Sequence, residues 1–62
     1  MSNQYFFSNL DLAKDHMQHA ERTTPEQLNY YLSISAQIPP QTINGQAWRL
    51  ISTKTANVFY KE

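Results

Sequence analysis

Residues 19–31 read His19-Ala20-Glu21-Arg22-Thr23-Thr24-Pro25-Glu26-Gln27-Leu28-Asn29-Tyr30-Tyr31, and they hold the clearest signal in the chain, the start of a helix. Thr24 is a good helix N-cap, because its hydroxyl can accept from a free amide of the first turn. Pro25 suits the first helical position, where the missing N–H leaves nothing unpaired. Gln27 can reach back to the Thr24 amide and close a capping box. Beyond it, Leu28, Tyr31, Leu32, Ser35 and Ile38 recur at helical spacing, with Ile34 at the edge of the face. Pro39-Pro40 ends this helix, since a residue before proline avoids the helical region. Upstream, Leu10, Ala13, Met17 and Ala20 trace the apolar face of an earlier helix. Ser8-Asn9-Leu10-Asp11 opens it as a Ser-x-x-acid cap, and it should end near Glu21 or Arg22. Two helices therefore meet through a tight link at Arg22-Thr23, which implies an angled pair.

Before the first helix, Gln4-Tyr5-Phe6-Phe7 is aromatic and uncharged and favours a strand. Alternation places Ser2, Gln4 and Phe6 on one side and Asn3, Tyr5 and Phe7 on the other. With Tyr5 and Phe7 assigned to the core, Gln4 and Phe6 face outward; a slip of one residue turns Asn3 outward instead. After the prolines, Asn44-Gly45 is a strong turn signal. Ala47-Trp48-Arg49-Leu50-Ile51 fits either a helical turn or a strand, and Asn57-Val58-Phe59-Tyr60 reads as a strand. The two pieces can form a hairpin around Thr53-Lys54-Thr55-Ala56.

Composition bounds what these elements can do. A chain of 62 residues is one domain at most, and at that size folding hides only about 60% of the unfolded surface. Such a domain needs a staple. There is no cysteine, so disulfides and thiolate metal sites are excluded. His16 and His19, even with Asp15 beside them, make a poor metal site and read as solvated side chains. Oligomerisation is the staple that remains. No apolar stretch approaches the roughly 18–20 residues that span a bilayer, and Met1-Ser2-Asn3-Gln4 lacks the features of a secretory signal. A cytoplasmic location is expected. Net charge is zero, which disfavours non-specific nucleic-acid binding. The charge is uneven, however: from Ala47 onward Arg49, Lys54 and Lys61 face only Glu62. One glycine allows no phosphate cradle, and no serine sits in a Gly-x-Ser-x-Gly setting. Asp11 and Asp15 share a helix face, but an acid near a helix N-terminus is already explained by the macrodipole. Binding rather than catalysis is expected, with no catalytic residue, cofactor or metal.

The order strand, helix, tight link, helix is that of a ribbon-helix-helix protein. The run His19–Tyr31 resembles the ParD-like antitoxin subgroup, which carries a similar Ala-x-x-Arg-Ser/Thr-x-x-x-Gln-Ile/Leu-x-x-Trp/Tyr pattern. The resemblance covers about residues 3 to 38. It implies a mainly α fold with short β: a ribbon-helix-helix dimer with a C-terminal β-prone tail or hairpin. Residues 1–38 would form the dimerisation and DNA-binding region and 39–62 the partner-binding tail. The chain would then be a homodimeric antitoxin that represses its own operon by binding operator DNA and masks a cognate toxin. On the DNA side, Gln4 would pair with adenine and Phe6 would touch a thymine methyl, Asn3 replacing Gln4 if the register slips. Arg22 and the amides after Thr24 would hold phosphate. On the partner side the candidates are Trp48, Leu50, Val58, Phe59 and Tyr60, since exposed aromatics anchor interfaces. The tail either stays exposed for a partner or folds back over the helices and completes the core. An alternative function is a small phage- or plasmid-encoded inhibitor that binds a host enzyme and no DNA.

Overall fold

The computed structural model describes residues 3–62. Ser2, which alternation grouped with Gln4 and Phe6, lies outside the described residues, as does Met1. The elements run β1 (Asn3–Phe7), α1 (Leu10–His19), α2 (Pro25–Ala36), β2 (Gln41–Ile43), β3 (Gln46–Ser52) and β4 (Ala56–Lys61). The four strands form one sheet in the order β1-β4-β3-β2. β1 runs parallel to β4, and the other two pairings are antiparallel.

This arrangement overturns the expected mainly α ribbon-helix-helix fold. Helix and strand contribute almost equally, and β1 pairs with β4 of its own chain, Tyr5 opposite Val58 and Phe6 opposite Phe59. The physical reason lies in the tail. β4 buries an apolar side chain on each face, Val58 and Phe59, and lies between two strands, with β3 on one edge and β1 on the other. Periodicity shows that β1 is a strand but not which edge completes it.

Local chemistry sets the element ends. Asn9, not Ser8, caps α1: its side-chain oxygen accepts from the Leu12 amide at 2.9 Å. α1 stops at His19, short of Glu21, and Arg22 turns the chain with φ of 54° while the Thr23 amide donates to Met17 O at 2.8 Å. Thr24 caps α2 as its sequence announces, accepting from the Gln27 amide at 3.2 Å. Asn44 and Gly45, with φ of 52° and 79°, make a two-residue hairpin turn between β2 and β3. Ala47–Ile51 resolves to strand, and the hairpin around Thr53–Ala56 joins β3 to β4.

Both helices cover one face of the sheet. Ala13 and Met17 of α1, Leu28 of α2, Ile51 of β3 and Ala56 and Val58 of β4 form the buried cluster, with Tyr5, Phe7, Leu10, Tyr31, Leu32 and Tyr60 packed around it. The tail therefore folds back and completes the core. Arg49 ties the layers together: its Nη1 donates to Ser35 O at 2.7 Å and Ile38 O at 2.8 Å, satisfying carbonyls at the end of α2. Ser35 Oγ donates in turn to Leu50 O at 2.6 Å. Among the described residues, no helix is long and apolar enough to cross a membrane.

Candidate binding face

Side chains alternate across a strand, so the register fixes which residues lie opposite the helices. Tyr5, Val58 and Ile51 face the helices; their neighbours Phe6, Phe59 and Leu50, paired across the sheet, face the other way. The same alternation adds Trp48, Gln46 and Ser52 from β3, Gln41 and Ile43 from β2, Gln4 from β1, and Asn57 and Lys61 from β4. Among the described residues, no helix covers this second face.

Its centre is aromatic. The Phe6 ring stacks on Phe59 with centroids 4.7 Å apart and planes within 7°. Trp48 meets Phe6 edge-on at 5.2 Å. Phe59 is only 5% exposed although no second layer lies over it, because the neighbouring rings shield it. Phe6 itself is 47% exposed. Beside these rings a cleft of about 330 Å³ opens between Phe6, Trp48, Ile43, Asn44 and Gln46. The Lys61 ammonium sits 5.8 Å from the centre of the Trp48 ring, within cation–π range. The rim is made of amides and hydroxyls, and no strand residue on this face is acidic. An apolar, aromatic floor with a few polar groups at its margin can accept a large apolar group and orient it by hydrogen bonds.

The residues expected to touch DNA are not brought together. Gln4 and Phe6 lie on the open face, Asn3 alternates to the opposite side, and Arg22 and Thr24 sit in the link between the helices. The Thr24 hydroxyl is occupied by the Gln27 amide. Of the residues expected to bind a partner, Trp48, Leu50 and Phe59 share the open face, whereas Val58 is fully buried beneath the helices and Tyr60 packs beside it. Burial pushes the Tyr60 phenol above its ordinary value of 10.0; Arg49 opposes that shift and Glu62 adds to it. Ile43, Asn44 and Gln46 escaped sequence reasoning. The signal was present, because an Asn-Gly turn calls for a strand on each side, and Gln41-Thr42-Ile43 is the one before it.

A second polar cluster joins α1 to the β3–β4 turn. His16 is not solvated: its ring lies 4.4 Å from Tyr5 and 5.2 Å from Phe7, and its Nε2 meets Glu21 Oε2 at 2.7 Å. Glu21 Oε1 accepts from the Thr53 and Thr55 hydroxyls at 2.9 and 3.3 Å. His19 points outward and pairs with Asp15 at 3.3 Å. Among the described residues no three His, Cys, Asp or Glu side chains gather as a metal site.

No family model, curated protein or solved structure matches this chain.

Proposed function

We propose that this protein is a small protein-interaction module that holds an apolar side chain of a partner protein in the cleft beside Trp48. The observation that carries this reading is the Phe6–Phe59–Trp48 cluster on the sheet face that no helix covers. Protein interfaces concentrate aromatics at their centre, keep charges away from it and finish in a polar rim. The open face has that composition: five apolar side chains (Phe6, Ile43, Trp48, Leu50, Phe59), a rim of Gln, Asn and Ser, and the single charge of Lys61. Charge favours a protein over a nucleic acid as occupant. Phosphate binding draws on several cations, and here the net charge is zero, Arg49 is committed to α2 and Glu62, and one lysine remains on the face. An antitoxin or inhibitor role would act through this face, by covering a partner's apolar surface.

The test begins with a displayed random-peptide library panned against the folded protein. The chain has one tryptophan, so its emission reports on the cleft directly. Selected peptides should carry an apolar anchor and shift Trp48 emission. Trp48→Ala should weaken their binding about 30-fold or more, as loss of an interface hot spot does, measured by calorimetry. Ile43→Gln should act in the same direction, and Tyr30→Ala, on an exposed part of α2, should change nothing. Peptides that bind Trp48→Ala as well as the parent protein would overturn the reading. So would a single-stranded oligothymidine that outcompetes them with steep salt dependence, which would make the rings a base-stacking platform instead.

A further inference from the structure

We infer that two copies of the chain join through the free edges of β1, forming one eight-stranded sheet with four helices on a single face. β1 ends the sheet and touches only β4 and α1 among the other elements. Among the described residues, nothing pairs with its outer row of amides and carbonyls. Exposed edges are normally blunted by lysine, proline, a bulge or extreme shortness. The opposite edge, β2, has three residues and follows Pro39-Pro40 directly. β1 has five residues, no charge and no proline, and its register on β4 is unbroken.

Antiparallel pairing of this strand with itself, centred on Tyr5, would set Asn3 opposite Phe7 and Gln4 opposite Phe6, with no charge facing a like charge. The helix layer fits the same operation. α1 lies over β1 and β4. With strands about 4.8 Å apart, the mid-line of that pair and its image are two spacings apart, so the two α1 helices would lie roughly 10 Å from each other. That is the distance at which packed helices touch.

The side chain needed at such a contact is already in place. Leu12 is 48% exposed and lies about 40° further round α1 than His16, at 3.6 residues per turn. His16 rests on the rings of Tyr5 and Phe7 in β1, so Leu12 overhangs the free edge. The polar groups on that flank, Asp15 and His19, lie against each other at 3.3 Å. On the open face the second copy would bring its Gln4 beside Phe6, widening the aromatic surface without covering Trp48.

Sedimentation equilibrium over a wide concentration range tests this, with Gln4→Lys/Leu12→Lys as the edge variant and Trp48→Ala as the face variant. The parent protein should reach twice its 7.3 kDa chain mass. The edge variant should raise the dimer dissociation constant at least tenfold while keeping the circular dichroism of the parent, and Trp48→Ala should leave it unchanged. A monomer at every concentration overturns the proposal. So does a dimer that survives the edge variant or is lost on Trp48→Ala. None of these outcomes bears on whether peptides enter the cleft, so the two readings stand or fall separately.

Discussion

At the scale of single residues, the side chains that organise this molecule are polar ones held between layers. Glu21 receives His16 from α1 and two threonine hydroxyls from the β3–β4 turn, so one carboxylate joins the end of a helix to a hairpin. Glu21→Ala would remove the carboxylate that lies against His16 Nε2 and accepts from Thr55, while the Thr53 hydroxyl keeps Ala56 O at 3.0 Å. Leaving the buried His16 Nε2 with no carboxylate beside it costs about 1–3 kcal/mol, which should appear as a lower urea midpoint. Glu21→Gln retains an acceptor for Thr53 and Thr55 and should cost less; equal losses for the two variants would contradict the clamp. Little of this was legible in the sequence. His16 and Glu21 stand on what looks like the solvated side of a helix, and only the return of the tail under α1 turns that side inward. Arg49 is a similar case: nothing around it in the chain shows that its guanidinium caps a helix more than ten residues upstream.

At the scale of elements, most of what formed was readable. Thr24-Pro25, the apolar spacing of both helices and Asn44-Gly45 each act over a few residues, and each appears where local chemistry places it. Ser8 and Asn9 compete for the same cap, and Asn9 takes it. The ambiguous segment 47–51 became a strand because β4 lies ready beside it, a long-range fact that periodicity does not hold. The turn between β2 and β3 offers a clean test at this scale. Gly45 has φ of +79°, and a Cβ there would meet nothing within 4 Å. Gly45→Ala should therefore destabilise by the conformational cost alone, about 1–2 kcal/mol, visible as a lower denaturant midpoint. Because this turn also carries Asn44 and Gln46 of the cleft, the same variant should weaken peptide binding. A stability unchanged from the parent would mean that the turn is not of this type.

At the scale of the whole molecule, the difference between a ribbon-helix-helix dimer and the observed sheet rests on one pairing. A short aromatic strand ahead of two helices satisfies both architectures, and residues 3–38 alone contain nothing that chooses between them. The choice is made by residues 56–61, whose consecutive side chains Val58 and Phe59, on opposite faces, are both buried and which therefore belong in the middle of a sheet. Once β1 lies beside β4, Phe6 comes to rest on Phe59 and Trp48 closes the cleft, so the candidate binding face is a consequence of that pairing. The most direct test is a nuclear Overhauser spectrum of the protein in solution. The account predicts ring-to-ring contacts between Phe6 and Phe59 and the backbone pattern of parallel strands joining Tyr5 to Val58. Absence of both, with β1 in contact only with β1 of a second chain, would contradict it and restore the ribbon.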